Sequence, residues 1–138
     1  MPWHLWVVGL LALIWNGMGG LDQLMTQVQG DAWLAKMDPT EVQLAWFHAM
    51  PAWVDVVWGV GAWSGLLGAV LLLLRRRWAL PAFGASLIGW AIYAVYALGL
   101  SNGLEAMGAF WPMLVVHVAA PVLCVWYASV QSKWGVLR

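Results

Sequence analysis

Long apolar runs, broken at only a few points by polar residues, set the pattern of this chain. Four of them, at about 3–21, 51–74, 78–100 and 107–130, approach or exceed the length needed to cross a bilayer. A hydrocarbon core of roughly 30 Å takes about 20 residues of helix, because backbone N–H and C=O groups in lipid must be satisfied within their own segment. The pattern therefore predicts an all-α fold, an integral membrane four-helix bundle forming a single domain over 1–138. Only Arg75, Arg76 and Arg77 separate the second and third runs, so these two form an antiparallel hairpin whose charged turn stays out of lipid. The one sizeable polar stretch, 22–50, joins the first run to the second. Within it, Asp38-Pro39-Thr40-Glu41 reads as an N-cap, a proline at N1 and a capping-box glutamate at N3, which predicts a short amphipathic helix over 39–49. Val42, Leu44, Ala45, Trp46 and Phe47 suit that helix to lie on the membrane or to cap the bundle. The opening MPWHLWVV lacks the basic start and small-residue cleavage site of a signal peptide and is read as the beginning of the first span.

Composition adds a solvent. Hydrophobic residues make up 64 % of the chain and charged residues 9 %, against about a quarter charged in a soluble domain, so lipid surrounds most of it. Six basic residues balance six acidic ones, leaving no net positive field to hold nucleic acid. The charges nevertheless sort by side. Arg75, Arg76, Arg77, Lys133 and Arg138 fall on one face of a four-span arrangement, while Asp22, Asp31, Asp38, Glu41 and Glu105 fall on the other with Lys36 alone. The positive-inside rule then puts the arginine turn and both termini in the cytoplasm, and the 22–50 segment with its short helix outside. Among the 13 tryptophans, Trp3, Trp6, Trp78 and Trp134 lie near the inner interface and Trp46, Trp53 and Trp111 near the outer one, where amphipathic rings anchor.

Polar side chains within spans are costly and mark candidate sites. Counting about 1.5 Å per residue from the outer helix ends puts Asn16, Asp55, Tyr93, Tyr96 and His117 in the outer half of the bilayer, one or two from each helix. Together they can form a ligand pocket open to the outside and roofed by His48 and the short helix. Each also has a plainer role. Asp55, about one turn into its helix, is favoured by the positive end of the helix dipole and can be a solvated interfacial carboxylate. Tyr93 and Tyr96, spaced i, i+3, can be interfacial anchors, and His117 can bond a neighbouring helix. Pro121 cannot donate to the carbonyl of His117, which predicts a kink and a free carbonyl beside the imidazole. In the inner half only Ser86 stands out, as a helix-packing residue, and Cys124 reads as a small buried hydrophobe.

Gly61, Gly65 and Ala69, with Gly68 beside them, form a small-residue ridge that lets another helix approach, from this chain or from a second copy. Arg75, Arg76 and Arg77 set the topology and can hold an anionic lipid headgroup. One cysteine excludes an internal disulfide or a thiolate metal cluster, and His4, His48 and His117 lie at different depths, so no metal site is expected. No phosphate-binding, dinucleotide or hydrolase motif occurs, and no cofactor is expected.

The runs WNGMGGLDQLMTQ, FHAMPAWV, LLLLRRRWALPAF and LSNGLEAMG resemble a group of small four-span bacterial inner-membrane proteins, some of them described as sugar-transporter-like. The outline of a first span, an outer helical segment, a glycine-rich second span and an arginine hairpin is also similar to DoxX-like membrane proteins. The first resemblance implies a multi-pass protein of the bacterial inner membrane, and neither supplies a catalytic residue. Three readings follow. The first is a non-enzymatic accessory or binding subunit that associates with a membrane-protein partner or with itself. The second is a homo-oligomeric carrier or channel for a small polar solute such as a sugar. The third is a membrane enzyme using His117 or Asp55 on a lipid-soluble substrate such as a quinone.

Overall fold

The computed structural model describes residues 2–138, and among them there is helix and turn but no strand. In chain order the helices are α1 (Trp3–Gln29), α2 (Asp31–Leu34), α3 (Glu41–His48), α4 (Ala52–Leu73), α5 (Ala79–Val95), α6 (Gly103–Met107) and α7 (Pro112–Lys133), with a π-helical turn at Tyr96–Leu100 extending α5. Four are long and apolar enough to cross a membrane: α1, α4, α5 with its π turn, and α7. α4 packs between α1 and α5, and α5 packs on α7. The ring closes where α7 returns to α1, through a 2.5 Å hydrogen bond between His4 Nδ1 and the Tyr127 hydroxyl and through the Trp15 and His117 rings, 5.1 Å apart.

The ends of three helices differ from the hydropathy pattern. α1 runs eight residues past residue 21, because DQLMTQVQ contains neither glycine nor proline and polarity alone does not stop a helix. Gly30, at φ +56°, stops it, and its N–H bonds the Thr26 carbonyl. At 27 residues α1 is about 40 Å long, so its last turns reach beyond a hydrocarbon core. α7 begins at Pro112 rather than near residue 107, since α6 and a 3₁₀ turn at Gly108–Phe110 intervene and proline is pre-set for a first helical turn. α3 is capped by Thr40 and Gln43 in place of Asp38 and Glu41. Gln43 N–H donates to Thr40 Oγ1 at 3.2 Å and Thr40 N–H to Gln43 Oε1 at 3.0 Å, while Asp38 adopts φ +49° and closes the preceding turn. α7 itself remains helical through Pro121.

Small residues on α4 bring its neighbours in. A Cβ on Gly61 would come within 2.9 Å of Trp90 Nε1, and one on Gly68 within 2.7 Å of the Phe83 ring, both on α5. Gly65 faces Asn16 of α1 and Ser86 of α5, and Ala69 is wholly buried. Opposite Gly61 stands Gly89, where a Cβ would lie 2.8 Å from the Gly61 backbone nitrogen, so the two backbones meet there directly. The ridge thus serves helices of its own chain.

At the arginine end, α4 finishes with Arg76 N–H bonded to Leu71 C=O and Arg75 at φ +58°, and α7 finishes the same way around Gly135. The tail that follows is laced to the arginine turn. Arg138 N–H donates to Arg75 C=O, Arg77 N–H to Arg138 C=O, and the Nε groups of Arg75 and Arg77 reach the carbonyls of Val136 and Leu137. Two of the three arginines therefore staple the chain terminus over the bundle's base.

Candidate functional site: an aromatic cavity at the capped end

The polar groups of the far end are organised by rings. Tyr93 of α5 lies at the centre, with Trp90, Trp46 and Trp58 centred 5.5, 6.2 and 6.4 Å from it. Trp46 comes from α3 and is 5 % exposed, so it is a core residue and not an interfacial anchor. Its position is fixed through Ser101, whose Oγ accepts from Trp46 Nε1 at 2.9 Å and donates to the Tyr96 carbonyl at 2.9 Å. That carbonyl stands at the start of the π turn that extends α5. α3 is thus bolted across the end of α5.

Bulky, rigid rings set at steep angles do not fill space as small residues do, and they leave a cavity of about 450 Å³. Asp22 of α1, Trp58 of α4, Trp90 and Tyr93 of α5, and Met113 and His117 of α7 form its walls. Gln43, Trp46 and Phe47 of α3, with Ala106 and Met107 of α6, cover it. The volume lies within the range of small-molecule sites, which combine apolar walls with a few placed polar groups.

Those groups are Asp22, Tyr93 and His117. The His117 ring packs between Trp15 and Trp90, the latter centred 4.5 Å away, and its Nδ1 lies 2.6 Å from the Met113 carbonyl. A nitrogen at that distance from a carbonyl must carry the proton, so in the neutral ring Nε2 is left as an acceptor. Asp22 Oδ1 accepts from Trp33 Nε1 at 2.7 Å. Neither Lys nor Arg is among the lining residues.

Of the six expected pocket residues, five placed by depth and His48 as part of the roof, Tyr93 and His117 line the cavity. Tyr96 stands behind it, against Trp46 and Trp53. Asn16 faces α4 one layer nearer the arginine end, its Nδ2 donating to Ala12 C=O at 2.8 Å, next to Gly65 and to Ser86, whose hydroxyl donates to Gly61 C=O at 2.6 Å. Asp55 lies beside Gln27 of α1, outside the lining. His48 is exposed and pairs with Asp31 at 2.7 Å, joining α3 to α2. Asp22, Trp58 and Trp90 were not among the expected pocket residues. Asp22 had a signal: once α1 is allowed past residue 21, it follows Trp15 by seven positions and shares its face.

A second, wider hollow of about 1110 Å³ lies between α5 and α7, where Leu98, Leu104, Trp111, Val115, Val122 and Leu123 make it apolar. No group of three or more His, Cys, Asp or Glu side chains able to hold a metal occurs among the described residues. Compared with protein families, curated proteins and solved structures, the chain shows no significant match.

Proposed function

We propose that this is a multi-pass protein of a bacterial inner membrane, with cytoplasmic termini, that acts without catalysis as a binding subunit. In this reading the cavity opens toward the outer face and holds a small ligand. The carrying observation is that Asp22, Tyr93 and His117, from three different helices, face one cavity walled by tryptophans and partly roofed by α3 and α6. Orientation rests on the arginine turn, Lys133 and Arg138 at one end and the acidic residues of the 22–50 segment at the other. Below the cavity, α4 and α5 meet backbone to backbone at Gly61 and Gly89, which favours a closed-bottomed binding site over a path through the bundle.

Filling the cavity tests this. Ala106 is 5 % exposed and lines the site, so Ala106→Trp puts an indole where the ligand sits. With purified protein in mild detergent, a panel of sugars, amino acids, organic cations and organic anions is scanned for a rise in melting temperature. At least one class stabilises the natural chain and fails to stabilise a monodisperse Ala106→Trp variant. A panel that leaves both proteins unmoved overturns the reading. A periplasm-only reporter that responds when fused after Arg138 overturns the orientation.

A further inference from the structure

The chemistry of the lining selects among those classes. The rings of Trp46, Trp90 and Tyr93 are steeply inclined, Trp46 to Tyr93 at 87° and Trp90 to Tyr93 at 76°, so they make the walls of a box and not a stack. Ring faces carry negative potential, and such boxes attract cations that are poorly hydrated. Asp22 adds a carboxylate, and the lining offers neither Lys nor Arg to pair with it; Lys36 is held outside, 4.7 Å over the Trp33 ring. Met37, Met107 and Met113 contribute soft, polarisable thioethers.

Other ligands fit less well. An organic anion would meet Asp22 with no guanidinium or ammonium to receive it. A sugar needs a dense set of hydrogen-bonding partners, and here Gln43 is already engaged in the α3 cap while Asp22 gives one oxygen to Trp33. A neutral apolar molecule would leave the carboxylate stripped of water with nothing in exchange. A bare metal ion is far smaller than about 450 Å³.

We infer that the cavity takes a compact hydrophobic organic cation, such as a substituted ammonium carrying one aromatic or aliphatic ring, with its charge against Asp22 and its apolar body against Trp46, Trp58, Trp90 and Tyr93. This rests on the binding-subunit reading above and gives it a ligand class.

The test uses two probes of one shape. Benzyltrimethylammonium and its uncharged isostere neopentylbenzene are titrated into the detergent-solubilised full-length chain, with Ala106→Trp as the baseline for uptake by micelles. The cation is expected to bind at least tenfold more tightly than the isostere. Asp22→Asn, which retains an acceptor for Trp33 Nε1, removes that preference, and Asp22→Glu keeps it. The comparison of probes on the natural chain decides the matter even if a variant does not fold. Equal affinities, or a cation preference that survives Asp22→Asn, overturn the inference. Binding of glucose or the isostere without the cation also overturns it, while leaving the binding reading intact. Silver(I), standing in for copper(I), bound through Met113 and His117 in the absence of ammonium binding does the same. Failure of every probe removes both readings together.

Discussion

The two ends of the bundle are built from the same helices and solve opposite problems. At the arginine end Leu5, Ala69, Leu72, Ala79, Phe83, Ala128 and Leu137 are sealed to 1 % exposure or less. Ala12 there keeps 7 %. At the capped end Val54, Ala62 and Ala97 are also sealed to 1 % or less, but the rings of Trp46, Trp58, Trp90, Tyr93 and Tyr96, with Leu114, each keep 5–8 %. The difference lies in side-chain size at the crossing points. Gly68 and Ala69 let α4 and α5 close on Phe83, whereas beyond Gly61 the contacts pass to indoles and phenols that hold the helices apart. In lipid the association of helices depends on such packing, since no hydrophobic force pushes them together. Stability is therefore concentrated at one end, and room for a ligand at the other.

The largest break in that comparison comes from deleting one phenyl ring at each end. Phe83 is 1 % exposed and fills the arginine-end core, while Phe110 is 68 % exposed at the cavity's edge. With lipid as the competing solvent the transfer part of a Phe→Ala change largely cancels. The cavity term, roughly 24 cal/mol per Å³ over about 100 Å³ of lost ring, leaves about 2 kcal/mol for Phe83→Ala. Phe110→Ala is expected to cost under about 0.5 kcal/mol, as surface changes do. Unfolding in mixed micelles compares the two; equal losses would mean that the ends do not differ in packing.

A smaller effect tests how the cap is held. Trp46→Phe keeps an aromatic ring between Tyr93 and Tyr96 but removes the N–H that Ser101 accepts. The expected loss is about 1 kcal/mol, one buried hydrogen bond with slight repacking. The more telling readout is local: faster amide exchange in α3 and in the π turn at Tyr96–Leu100, with the arginine end unchanged.

Much of this was legible in the residues and some was not, for identifiable reasons. Span length and hydropathy need no tertiary information, so the four long helices follow from the sequence. Depth is equally readable, because it only counts residues along an axis, and it brought Tyr93 and His117 to the right level. Rotation is not readable that way. Asn16 sits at a suitable depth but faces Gly65, and Asp55 faces Gln27. Asp22 falls in a loop if polarity ends α1, whereas only Gly30 ends it. Trp46 read as an anchor because a tryptophan near an interface has two fates, and only the position of Ser101, 55 residues away, decides between them.

The smallest expected effect sharpens the account of the cap. His48 Nε2 and Asp31 Oδ1 make the one contact of salt-bridge length found among the described residues, 2.7 Å apart with side chains 53 % and 65 % exposed and charged on both sides only when the imidazole is protonated. It links α3 to α2 and, by position alone, competes with Trp46 as the tether of the cap. Exposure decides against it. Both side chains are open to solvent, the Coulomb gain is screened, and each loses rotamer freedom to hold the pair, so such links are worth well under about 1 kcal/mol. His48→Ala is expected to lower stability by less than about 0.5 kcal/mol and to leave amide exchange in α3 unchanged at any salt concentration. If it instead loosened α3 as much as Trp46→Phe, the cap would be tethered electrostatically from its solvent side. Cavity closure would then respond to ionic strength, which a cap bolted through Trp46 and Ser101 does not.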